Sequence, residues 1–469
     1  MKLRIRLFLL FSIVYTTSLF AQIEGTWYAN LNAAGINIPL VFNFEKTSNN
    51  KWNGTLDSPN QQMFDLQLDL VQFKNDSLQL KANALGIYYK GKKNSKAING
   101  VFKQGMFKAE LALTREQKKP EEKKLNRPQE PKPPFPYTEE TIQFLNKKDS
   151  ITLAGTLTYP KNKSNYPIVV MISGSGAQDR NSEILGHKPF WVAADYLTRN
   201  GIGVLRFDDR GTAESEGDFS KATSLDFMED AYAAVQFLKD DLRFKHTAIG
   251  LYGHSEGGMI APLLANTYTN KVDFLVLLAA PAVAITDLML KQQELVSLAS
   301  GIDDEEIKIN AKINSGAYQL ITQFEATENS SLQNELQNYF TKVTEEYPQI
   351  GASMGLSNQR YIISMVSAYT NPWMVYFLKY KPKEHLKNLK LPVLALFAEN
   401  DLQVSAQENS TKMKELILGK NPKNEVKTFS NKNHLFQNSE TGNIAEYAEI
   451  EETISTEVLQ KIASWVKSL

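Results

Sequence analysis

The sequence predicts a doubly wound, mostly parallel α/β domain with a helical cap insertion, preceded by a small all-β, barrel-like domain. Three observations predict it. Residues Ile23 to about Arg115 alternate apolar and polar with period two, the pattern of strands with one wet face. A Pro/Lys/Glu-rich break follows at 116–136. From 137 to 469, short and almost continuous apolar runs alternate with helical patterns, as in a parallel sheet covered on both faces. At 469 residues the chain exceeds one compact core, so more than one folding unit is expected.

The first 21 residues combine a basic start (Lys2, Arg4, Arg6) with an apolar run from Leu7 to Phe20 that ends at Ala21. They read as a signal peptide cleaved between Ala21 and Gln22, because the run is shorter than the ~20 residues that span a bilayer. Export to the periplasm or the exterior is therefore expected, with no stable membrane anchor after cleavage. The chain has no Cys, which excludes disulfides and a lipid attached through cysteine. In the β-domain, 22–115, Ile36, Ile38, Leu40, Phe42 and Phe44 share one face, as do Phe64, Leu66, Leu68 and Leu70, and then Phe107, Ala109, Leu111 and Leu113. Gly25-Thr26-Trp27 is similar to the opening of lipocalin-type barrels. An accessory role is expected for this domain. Six of the 18 prolines fall between Pro120 and Pro136, so 116–136 reads as an extended linker.

Beyond the linker, ITLAGTLTY at 151–159 alternates and suits an antiparallel strand. PIVVMI (167–172), GVLRF (203–207), AIGLY (248–252), FLVLLA (274–279) and VLALF (393–397) are buried-strand runs, and 425–429 is a last strand-like run. Helical patterns lie at 189–198, 225–238, 257–268 and 406–418. One interval breaks the alternation. Residues 284–385 separate two strands where one helix would suffice, and they end aromatic, with Tyr361, Tyr369, Trp373, Tyr376 and Phe377. An insertion of that length at the carboxyl end of a sheet reads as a cap over the site, and its aromatic residues suggest an apolar acyl pocket.

The chemistry centres on LYGHSEGG at 251–258. A strand before it and a helix after it make Gly253-x-Ser255-x-Gly257 a tight turn that exposes the Ser hydroxyl at a helix N-terminus. Such a Ser needs a base, and the base needs an orienting acid. The chain has five His: 187, 246, 254, 385 and 434. His246 is at the wrong end of the sheet, His385 precedes a strand, His187 is misplaced in chain order, and the turn should aim His254 elsewhere. His434, after the last strand-like run, is the base. The acid should leave a strand end between Ser and His. AENDLQV at 398–404 offers Asp401, with Glu399 as rival and Asp287 as a more distant one.

The order Ser255, Asp401, His434 resembles that of the α/β-hydrolase superfamily. So do IVVMISGSGAQDRN (168–181), GVLRFDDRGTAES (203–215), LPVLALFAENDLQV (391–404) and NHLFQ (433–437). The chain looks most like secreted bacterial serine esterases of the dienelactone-hydrolase and prolyl-oligopeptidase-like branch, although ISGSG stands where many relatives carry His-Gly. The resemblance implies carboxylic-ester hydrolysis through an acyl-enzyme. The oxyanion hole should use the backbone N–H of Glu256 and that of Ser175, with Gly176 as the alternative. Asp208, Asp209 and Arg210 read as a structural charge network. A serine peptidase or aminopeptidase of the same fold is the first alternative, with Glu256 or Glu399 able to bind an α-amine. A non-catalytic secreted binding protein is the second.

Lys plus Arg equals Asp plus Glu at 52 each, so no positive surplus exists to engage nucleic acid. The His spacing suits no metal, and ISGSGAQ lacks the Lys-Ser/Thr of a phosphate loop; no cofactor is expected. The substrate is a small ester, and oligomeric state is left open.

Overall fold

The computed structural model describes residues 23–469 except 34–35, 60–62, 84–85, 105–106, 118–125, 162–164, 326–328 and 349–358. The expected signal peptide, 1–21, lies outside the described residues, as does the middle of the linker.

The alternating pattern becomes nine antiparallel strands: β1 Gly25–Ala33, β2 Ile36–Lys46, β3 Trp52–Ser58, β4 Met63–Gln67, β5 Leu70–Lys74, β6 Ser77–Ala82, β7 Ile87–Lys93, β8 Ala97–Gln104 and β9 Phe107–Thr114. They form one sheet in the order β4-β3-β2-β1-β9-β8-β7-β6-β5. The two edge strands, β4 and β5, are consecutive in the chain, so the sheet must curl until its edges approach. The core holds Trp27, Phe42, Phe44 and Tyr89, whose phenol donates to Ile98 O at 2.8 Å and so pairs its one polar atom. Phe64 departs from the predicted face: it is 62% exposed on edge strand β4.

The second sheet comprises β10 Tyr137–Asn146, β11 Ile151–Pro160, β12 Ile168–Ile172, β13 Gly203–Phe207, β14 Ile249–His254, β15 Phe274–Leu278, β16 Val393–Ala398 and β17 Glu425–Phe429. Its order is β10-β11-β13-β12-β14-β15-β16-β17. β11 pairs antiparallel with β10 and β13, and the remaining pairs are parallel. β10 was not legible as a strand, since its exposed polar residues mask the pattern of an outer strand. β12 to β16 are buried along most of their length, which explains their largely apolar runs, whereas the outer strand β17 buries only Phe429. Helix α1 (Pro189–Arg199) joins β12 to β13, α2 (Ser224–Asp240) joins β13 to β14, and α3 (Glu256–Thr267) joins β14 to β15. The chain leaves β12 for β13 on one side and then crosses to β14 on the other. The carboxyl ends of β12 and β14 therefore flank a topological switch point, where ligand crevices form.

Between β15 and β16 the predicted cap is helical, with helices Ile285–Ala299, Asp304–Gln323, Asn329–Glu346, Gln359–Tyr369 and Pro372–Lys379. Residues 126–130 are not a free tether. Arg127 donates to the carbonyls of Leu185, Gly186, Ala448 and Ile450 at 2.8–3.1 Å. Gln129 bonds both backbone groups of Ile454 and the N–H of Thr453. The Pro-rich composition hid this docking because two side chains, rather than a buried apolar face, provide it.

Candidate active site

The turn after β14 is built by steric exclusion. A Cβ on Gly253 would sit 2.1 Å from Gly257 O, and one on Gly257 would sit 2.2 Å from Ile172 O. Neither position admits a side chain, as the sequence pattern implies. Ser255 is held at φ 55, ψ −117, a conformation costly for a non-glycine residue. It caps α3, so its hydroxyl stands at the positive end of the helix. The parallel register of β12 with β14 sets Ile172 opposite Gly253 and brings the 173–178 loop alongside.

Asp401 follows β16 and is 2% exposed. Its Oδ1 accepts the N–H groups of Gln403 and Val404, both at 2.8 Å. That leaves Oδ2 aimed at His434 Nδ1, 2.7 Å away. A carboxylate so fixed sets the tautomer: Nδ1 carries the proton and Nε2 presents its lone pair. The rival Glu399 instead accepts Asn431 N–H, and Asp287 sits on the first cap helix beside the second. His434 lies in a loop organised by fully buried Asn433, whose Oδ1 accepts the N–H groups of Leu435 and Gln437 at 3.0 Å each. Ser255 and His434 line one cavity, and among the described residues no hydrogen bond joins their side chains. Such contacts commonly tighten only around bound substrate.

His254 corrects an expectation. Its ring is not aimed away; it packs on His434 with centroids 4.7 Å apart and donates Nε2–H to His434 O at 2.9 Å. Burial, with the neighbouring His434 ring adding to it, pushes the His254 imidazole down to about 4, so it stays a neutral prop for the His434 loop. Sequence reasoning also missed Gln437 and His187 as props. His187 is fully buried, with Nε2–H on Tyr447 O at 2.7 Å and Nδ1 accepting from Thr453 Oγ1 at 2.9 Å. Burial pushes it down to about 4. The GHKPF sequence carries no pattern that shows this, because its partners lie some 260 residues away.

Ser175 is exposed and lines the same cavity, whereas Gly176 does not. Glu256, next to Ser255, turns its side chain inward. Oε1 accepts from Ser224 Oγ at 2.5 Å and from Trp373 Nε1 of the cap at 2.9 Å, and burial raises its pKa. It is therefore committed to tying the elbow to the cap. The cavity measures about 90 Å³, and its apolar wall includes Ile184, Phe190, Leu435 and Ile454. None of the described cap aromatics lines it. Tyr369 packs on Tyr318 and Phe340, and Trp373 stacks on Phe377, so these rings are cap core.

Asp208, Asp209 and Arg210 part company in space. Asp208 pairs with Arg180 and Arg210 with Asp230, both as structural ion pairs, while Asp209 faces the 173–178 loop.

Comparison with known proteins agrees with this architecture. Residues 190–319 match the family described as Serine aminopeptidase, S33, and residues 353–469 match the Dienelactone hydrolase family. Together these matches and the fold support an α/β-hydrolase. A curated relative of this α/β-hydrolase, Esterase EstD of Thermotoga maritima, is 27% identical over 67% of the chain, and the chain spans 65% of that relative's length. Thiohydrolase aneE of Aspergillus aculeatus is 36% identical over 26% of the chain and 35% of its own length. Among solved structures, the Pyrococcus furiosus esterase Pf2001 has a TM-score of 0.41 at 15% identity, over 71% of this chain and 93% of its own. Est1E from Butyrivibrio proteoclasticus with ferulic acid has 0.40 at 17%, over 70% and 96%.

Proposed function

We propose that this α/β-hydrolase is an exported serine esterase that cleaves carboxylic esters by two-step acyl transfer. Ser255 attacks the carbonyl while His434 Nε2 takes its proton, and Asp401 steadies the imidazolium. The backbone N–H groups of Ser175 and Glu256 meet the oxyanion. His434 then protonates the leaving alcohol, activates water, and the acid is released. The observation that carries the reading is the 2.7 Å Asp401–His434 bond sharing a cavity with a strained Ser at a helix N-terminus.

An ester fits better than a peptide with a free amino terminus. Among the described residues lining the cavity none is an acid, so nothing there pairs with an α-ammonium. Glu256 and Glu399, the candidates for that task, are held by Trp373 and Asn431 N–H. The likeness to Esterase EstD points the same way. The test compares p-nitrophenyl acetate with aminoacyl nitroanilides on the wild type and on Ser255→Ala. Ester turnover that falls by roughly 10⁴–10⁶ in the variant supports the proposal. Amide turnover at ester-like rates would reverse the choice of substrate.

A further inference from the structure

Asp209 follows β13, not the elbow, yet both of its oxygens reach the loop that passes Ser255. Oδ1 accepts from Ser173 Oγ at 2.8 Å and Oδ2 accepts Gln178 N–H at 2.9 Å. Its own N–H donates to Gln178 O at 3.1 Å. Ser173 and Gln178 are the two ends of the loop, so one carboxyl pins both. Between them Gly174 runs against the nucleophile: a Cβ there would lie 3.2 Å from Ser255 Cβ. Inside the loop the remaining tie is Gln178 Nε2 on Ser175 O, at 3.2 Å. Residues 175–177 are otherwise exposed, and Gly176 at φ +93 stands in open space. A loop with an exposed tip and no packing keeps its shape only if its ends are fixed.

We infer that Asp209 is a positioning residue that clamps the 173–178 loop, holding the Ser175 N–H where the oxyanion develops. This rests on the serine-esterase reading above. Asp209 makes no ion pair among the described residues, and burial pushes its carboxyl up to about 7, with Asp230 and Glu256 adding to the effect. Protonation does not open the clamp, because one oxygen still accepts Gln178 N–H while the new O–H can donate to Ser173 Oγ. Asn reproduces that hydrogen-bonding pattern, its oxygen accepting Gln178 N–H and its NH₂ donating to Ser173 Oγ. The function of the residue is thus hydrogen bonding in place, and charge is dispensable.

A misplaced oxyanion donor is felt in the transition state more than in substrate binding. Asp209→Ala should therefore lower kcat about 10–100-fold with KM within about threefold, and weaken a trifluoromethyl ketone inhibitor by the same factor as kcat. Asp209→Asn should restore kcat to within about threefold of wild type. Ser173→Ala removes one of the two bonds without emptying a buried site, and should lower kcat and ketone affinity together by about 3–10-fold. It carries the test if Asp209→Ala does not fold. Wild-type kcat in Asp209→Ala overturns the clamp, as does unchanged ketone affinity in Ser173→Ala. Equal losses in the Ala and Asn variants overturn it too, since charge would then be the cause. A wild-type chain that neither hydrolyses p-nitrophenyl acetate nor takes a fluorophosphonate label overturns the esterase reading and the clamp with it. An active wild type with an inactive Ser255→Ala and an unaffected Asp209→Ala rejects the clamp alone.

Discussion

Replacing Asp401 by Asn changes one atom and should reverse the tautomer of His434. In the wild type, Oδ1 accepts two backbone N–H groups at 2.8 Å while Oδ2 accepts Nδ1–H at 2.7 Å. Asn can keep its oxygen on the two backbone donors, and its NH₂ then faces Nδ1. Nδ1 must become the acceptor, the proton moves to Nε2, and the ring can no longer take a proton from Ser255. Triads carrying this change lose on the order of 10⁴ in kcat, about 5 kcal/mol of transition-state stabilisation. The amide can instead flip and offer its oxygen to Nδ1–H. Its NH₂ would then confront the N–H groups of Gln403 and Val404, leaving two donors unpaired at about 1–3 kcal/mol each. Even the cheapest flip costs about 2 kcal/mol, so the loss should not be smaller than about 30-fold. The assay is p-nitrophenyl acetate hydrolysis at neutral pH, with thermal melting to show that the backbone bonds survive. A loss under tenfold with an unchanged Tm would refute the claim that Asp401 orients the base. Glu399→Gln serves as the control and should stay within about twofold, because Glu399 bonds Asn431 N–H and not the imidazole.

Three further outcomes follow from the geometry. Arg127→Ala should lower stability by about 2–3 kcal/mol, since it removes charge-assisted bonds to four carbonyls. Urea denaturation of a chain beginning at Asn126 should match the hydrolase-domain transition of the full chain, and one beginning at Phe135, which lacks Gln129 as well, should show at least that loss. The pH dependence of stability has a definite sign: His187 is held neutral by burial, down to about 4, so the unfolded chain binds its proton more readily. Its contribution is complete above the ordinary His range and lost as pH falls towards 4, by up to about 3 kcal/mol. Melting from pH 7 to 4 should show the fall, and His187→Gln should flatten it. Finally, the cavity of about 90 Å³ is smaller than the ~150 Å³ that holds a benzene ring. In a p-nitrophenyl ester series kcat/KM should peak at two to four acyl carbons and drop by about tenfold or more at eight, from lost burial and steric exclusion.

Local chemistry accounts for what was legible. Runs such as FLVLL and VLALF announce buried parallel strands because both of their faces need apolar side chains. Gly253 and Gly257 announce the elbow because no Cβ fits there. The order Ser255, Asp401, His434 also sits in the sequence, each residue at the end of a recognisable strand. By contrast β10 was lost because in YTEETIQFLN only Ile142 and Phe144 carry a buried apolar alternation, while its first five residues are mostly polar. The aromatic cap stripe misled because period alone does not say whether a ring meets substrate or another helix.

The chain order and residue types settle the class of fold, the turn that lifts Ser255, and the short set of groups able to serve it. Only the folded chain shows that Asp401 rather than Glu399 meets His434 and that His254 props the His434 loop. Only there does Glu256 bind the cap, and only there does Asp209 grip both ends of the neighbouring loop. The physical reason is range. Strand burial and tight turns are decided by neighbours within a few residues, whereas these contacts join residues 31 to 180 positions apart. Their energy depends on directions and distances that exist only once the strand ends of the sheet have been brought side by side.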